Sequence, residues 1–140
     1  MEKRGAGESL RWALRGNAVF STVSGVMMVL KPELVSSWLG VSIAWLLPWI
    51  GGGLLLFAVD LVHQSVQAEL SSLRARIASV SDFAWTLGTV VLLVGWGHLF
   101  SWQGKVLLVA IAVVVEVFGS WQWLGLRAML RQHNSVVDAG

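Results

Sequence analysis

Residues 105–127, KVLLVAIAVVVEVFGSWQWLGLR, form one apolar run broken by a single carboxylate, Glu116, near its midpoint. Its length decides the fold. At about 1.5 Å of rise per residue, roughly 20 helical residues cross the ~30 Å hydrocarbon core of a bilayer. Aliphatic residues fill the first half, and Trp121 and Trp123 close the second. A backbone in lipid must satisfy its own N–H and C=O groups, and a continuous run of this kind does so as a helix.

The rest of the chain agrees. Of 140 residues, 56% are hydrophobic and 13% charged, about half the charged share of a soluble domain. A chain this small buries too little of its surface to hide that excess, so lipid is its natural solvent. The net charge is +2 and the basic residues are scattered, which gives no footprint for nucleic acid. The absence of cysteine excludes disulfides, thiolate metal sites and thiol redox chemistry.

Four spans are expected, at about 10–30, 43–66, 82–100 and 105–126, within one membrane domain over 10–126. Residues 1–9 form a polar head expected to be disordered, and 127–140 a cytoplasmic tail that frays after one or two turns. The first span carries Arg11, Arg15 and Asn17, and Lys31-Pro32-Glu33 follows it with no small-x-small site. It therefore reads as an uncleaved helix, not a signal peptide. Pro48 should kink the second span near its start, and Gly51-Gly52-Gly53 should let a neighbouring helix approach. Ser81 or Asp82 is placed to cap the third span. SWQG, 101–104, reads as a tight turn.

Two connections carry helical patterns of their own. In 31–42, Pro32 and Glu33 suit a first turn and Gly40 a stop, so a short helix at the membrane surface is expected. In 67–81, Leu70, Leu73, Ile77 and Val80 repeat at helical spacing opposite Glu69, Arg74 and Arg76. This reads as an interfacial helix, or a continuation of the second span.

The threading follows from the basic residues. With the N-terminus in the cytoplasm, eight of the ten (Lys3, Arg4, Arg11, Arg15, Arg74, Arg76, Arg127, Arg131) lie on the inner side, and Lys31 and Lys105 on the outer. The nine tryptophans fall into two belts, Trp38, Trp45, Trp49, Trp96 and Trp102 outside and Trp12, Trp85, Trp121 and Trp123 inside. The expectation is an all-α, four-transmembrane-helix bundle in the inner (plasma) membrane with both termini cytoplasmic.

Each span carries a narrow polar or small-residue stripe, which in lipid should turn inward. These are Asn17, Ser21, Ser24, Gly25 and Met28; Gly53, Asp60, His63 and Gln64; Asp82, Thr86 and Thr89; and Ala112, Glu116, Gly119, Ser120 and Trp123. By depth, Arg15, Asn17, Asp60, His63 and Asp82 form one layer toward the cytoplasm, with Arg15 pairing Asp60 or Asp82. Glu116 is expected to be the one ionisable side chain at mid-bilayer. Its readings are a proton- or cation-coupled group, a neutral tie to Asn17, Ser21 or Ser24 of the first span, and a contact with a partner chain. His63 and His98 lie at opposite membrane faces and cannot share an iron. No zinc spacing or nucleophile–base pattern is evident, so no cofactor, metal or catalytic residue is assigned.

The segments KPELVSSWLGV (31–41) and PWIGGGLLLFA (48–58) give the first half a resemblance to small four-helix bacterial membrane proteins of the DoxX-like kind. That resemblance implies a four-helix membrane fold and an association with quinone-linked oxidoreductase partners. It transfers no catalytic residue. The functional expectation is a non-enzymatic accessory or oligomerising membrane subunit, in a homo-oligomer or larger membrane complex. The alternative is a small proton- or cation-coupled transporter or channel using Glu116, with Asp60 and His63 on the cytoplasmic path.

Overall fold

The computed structural model describes residues 2–67 and 72–137. All regular structure in them is helical: α1 (Glu2–Leu30), α2 (Pro32–Leu39), α3 (Leu47–Val66), α4 (Ser72–Trp96), a single 3-10 turn (Gly97–Leu99) and α5 (Trp102–Val137). Four segments are long and apolar enough to cross a membrane, Gly7–Leu30, Leu47–Val66, Ser72–Leu99 and Trp102–Arg131, and a third or less of each is buried inside the bundle. The remaining apolar surface needs an apolar solvent. The chain is a multi-pass membrane protein with an all-α, four-helix body.

Two hairpins make up the bundle. α1 packs along α3, α4 along α5, and the pairs join through α1 and α5, whereas α3 and α4 barely touch. The α1–α3 crossing is backbone on backbone. A Cβ on Gly25 would lie 2.8 Å from the Gly51 carbonyl oxygen, and one on Gly51 would lie 2.7 Å from that of Gly25. The close approach expected of the triple glycine thus belongs to Gly51. Gly52 and Gly53 face open space. The α1–α5 seam holds the Phe20 and Phe118 rings, 6.3 Å apart.

Each end of the bundle has its own apolar core. Leu10, Leu14, Leu61, Ala75, Ala78 and Leu126 close one end. Val35, Leu39 and Leu47 close the other, against Phe100, Leu107 and Leu108. α2 plugs that second end: the Ser101 amide donates to the Leu39 carbonyl at 3.1 Å, and Gly104 fits directly against that carbonyl. Gly40 ends α2 at φ +72°, the left-handed conformation that favours glycine.

Several boundaries differ from expectation. α1 reaches back to Glu2, over the head expected to be disordered, and Trp121 Nε1 donates to Ser9 Oγ at 2.8 Å. Pro48 sits in the first turn of α3 and starts that helix without kinking it, because a first-turn residue needs no N–H partner. Residues 72–81 continue into the third span, not the second, so Ser81 and Asp82 lie inside α4 and cap nothing. Leu73, Ile77 and Val80 point outward, while Ala75, Ala78, Ser79 and Asp82 are buried; Glu69 and Leu70 fall outside the described residues. In lipid the large aliphatic face turns out, and small and polar residues pack in. The expected tight turn at 101–104 is instead the start of α5, where Ser101 Oγ accepts from the Gly104 amide at 3.0 Å as an N-cap does. α5 stays helical to Val137, through most of the tail expected to fray. At 36 residues it is about 54 Å long and overruns the hydrocarbon core.

Candidate functional site

The polar centre of the bundle is Asp82. It lies 10 residues into α4, between three and four residues from the middle of the span Ser72–Leu99, about 5 Å along the axis. Its carboxylate is met from two other helices. Asn17 Nδ2 of α1 donates to Oδ2 at 2.7 Å, and Gln122 Nε2 of α5 donates to the same oxygen at 3.0 Å. Ser21 Oγ in turn donates to Asn17 Oδ1 at 3.3 Å, which holds the Asn17 amide in place. Asn17, Asp82 and Gln122 are all buried, and Gly119 allows the approach because a Cβ there would sit 3.0 Å from that of Asp82. One carboxylate thus fastens three helices.

Beside this knot runs a cleft of about 420 Å³. Asn17, Ser21, Ser81 and Asp82 line its polar end. Phe20, Leu54, Phe57, Trp85, Ile111 and Val115 supply much of its apolar wall. The cleft exists because α3 and α4 barely meet, leaving the α3 residues Gly53 and Leu54 facing Ser81 and Trp85 of α4 across a gap.

Among the expected site residues, the structure brings Asn17 and Asp82 together and disperses the others. Arg15 pairs with neither Asp60 nor Asp82; its guanidinium lies over the Trp12 ring at 5.6 Å on the outer face of α1. Asp60 is exposed, accepts from Gln64 Nε2 at 2.6 Å and has Arg74 at 3.6 Å. His63 is exposed and shares a hydrogen bond with Gln67. Their stripe straddles the edge of the packed face: Gln64 is buried, whereas Asp60, one turn before it, and His63, its neighbour in the chain, are exposed. Glu116 is not the sole intramembrane acid and does not tie α5 to α1. It lies on the α4–α5 face, in a recess with Thr86, Thr89 and Ala112, and its Oε1 is 3.5 Å from the Ser120 hydroxyl. The serines expected to meet it are on the far seam: Ser21 serves Asn17, and Ser24 lines the cleft.

Gln122 escaped the sequence reading, as did the bond from Arg11 Nη1 to the Ser65 carbonyl at 2.7 Å at the end of α3. The available signal for Gln122 was an uncharged amide between two tryptophans, one turn beyond Gly119, which is the spacing of a buried face. Among the described residues, no three His, Cys, Asp or Glu side chains cluster as metal ligands would.

Comparison with protein-family models, with curated proteins and with solved structures finds no match to this chain.

Proposed function

We propose that this protein is a non-enzymatic subunit of the inner membrane, with both termini in the cytoplasm, that acts through helix packing with a second copy or a larger membrane complex. The observation that carries this reading is the Asp82 knot. The most costly polar group in the spans fastens α1, α4 and α5 to one another through one of its oxygens. Support for a packing role comes from the outer face of α4. Gly88 and Gly95, two turns apart, are both exposed with open space beyond them, as close helix approach requires. The inward orientation rests on the eight basic residues on one side against two on the other.

A proton- or cation-coupled path through Glu116, Asp60 and His63 draws no support from the geometry. Asp60 and His63 occupy exposed positions near the end of α3, while Glu116 lies between α4 and α5. Purification of the full chain in a mild detergent, with mass determination and identification of co-purifying proteins, tests the proposal. The expected result is a particle heavier than one 15.2 kDa chain after correction for detergent. A monomer in several detergents, with nothing bound, would overturn it.

A further inference from the structure

We infer that the cleft between α3 and α4 is a lateral binding site for one lipid-like chain carrying a hydroxyl group, with the hydroxyl donating to Asp82. Three independent observations meet there.

The first is an unused acceptor. Both hydrogen bonds to the Asp82 carboxylate fall on Oδ2. Oδ1 accepts none from the described residues, and Asp82 lines the cleft. The residue as a whole is 4% exposed. A carboxylate oxygen held in an apolar wall without a donor is costly, and a hydroxyl from the cleft side removes that cost. A hydroxyl suits this position better than an ammonium, whose desolvation in the same wall is far more expensive.

The second is the dimension of the cleft. Along α1 it extends from Asn17 to Met28, eleven residues or about 16 Å, half of the ~30 Å hydrocarbon core. Asp82 lies near the middle of its span, so the cleft runs from mid-membrane toward the end plugged by α2, the depth of one leaflet. Apart from Ser24 and Gly53, its wall beyond the Asp82 end is aliphatic and aromatic, which suits a hydrocarbon chain.

The third is access. α3 and α4 barely touch, and the α3 margin carries Gly53, whose missing side chain would point into open space. The entrance faces the lipid phase, so a chain enters sideways without leaving the bilayer.

The test uses the full chain in dioleoylphosphatidylcholine vesicles containing a diazirine-bearing sixteen-carbon alcohol, or its methyl ether, which lacks the donor. Photolabelling followed by peptide mapping is expected to place the alcohol on α1 between Phe20 and Met28 and on α5 between Leu107 and Val115. The alcohol should outcompete the ether by about tenfold, the scale of one hydrogen bond to a charged group. Gly53→Trp, which closes the entrance at a position with room for a side chain, should abolish labelling of these peptides while leaving the helical content and thermal stability of the protein unchanged. Asp82→Asn should remove the preference for alcohol over ether. Labelling spread over the outer faces of the helices and indifferent to Gly53→Trp would overturn the site. Equal labelling by alcohol and ether in the native chain would overturn the role of Asp82.

Discussion

The sharpest prediction concerns the bond between Asn17 and Asp82. Removing the carboxylate with Asp82→Ala leaves two donors, Asn17 Nδ2 and Gln122 Nε2, on side chains that are 1% and 0% exposed. In a soluble core each orphaned donor would cost about 1–3 kcal/mol. In a membrane the unfolded reference finds partners too, and measured inter-helix bonds average about 0.6 kcal/mol with a ceiling of about 1.7. Two lost bonds therefore set the expected destabilisation at about 1–3 kcal/mol. Asp82→Asn keeps an acceptor oxygen and should lose less. The pairwise part is isolated by a double-mutant cycle of Asp82→Ala, Asn17→Ala and the double variant. Unfolding is followed by circular dichroism as the mole fraction of a denaturing detergent rises. A coupling of about 0.6–1.7 kcal/mol is expected. Additivity within the ~0.3–0.5 kcal/mol typical of unconnected sites would refute the claim that these residues fasten α1 to α4.

Three further outcomes follow from the same geometry. Gly51→Leu forces apart the backbones of α1 and α3 and should cost about 1–3 kcal/mol, whereas Gly52→Ala, facing open space, should be neutral or stabilising in the same unfolding assay. Gly40→Ala places a side chain at φ +72° against Ser101 and should destabilise by about 1–2 kcal/mol, measured as a shift in the unfolding midpoint. Glu116→Gln retains the contact with Ser120 and should change stability by less than about 1 kcal/mol, with no change in proton flux across reconstituted vesicles; a lost flux would restore the transport reading.

The legible part of the fold was the part set by length and solvent. Four runs of about twenty apolar residues must be helices in lipid, and the helix with Pro32 at its start and Gly40 at its end is written in local backbone preferences. Most of the candidate site was legible too, since Asn17, Ser21 and Asp82 stood out as polar groups on helical stripes and Gln122 alone did not. Glu116 drew attention because a carboxylate centred in an apolar run is conspicuous along the chain. Asp82 looked peripheral because the polar residues 67–81 before it resembled a membrane boundary, and helix continuity from Ser72 onward is what carried it inward.

By itself, then, the amino-acid sequence determined the solvent, the number of crossings and the helical state, because each depends on properties summed along a segment. The tertiary structure alone decided which acid lies at the centre, which face of α4 turns in, and where the cleft opens. Each of these depends on the rotation and depth of one helix relative to its neighbours. Those are set by the fit of Gly25 on Gly51 and by the convergence of Asn17 and Gln122 on one oxygen of Asp82, contacts between residues 26 to 65 positions apart.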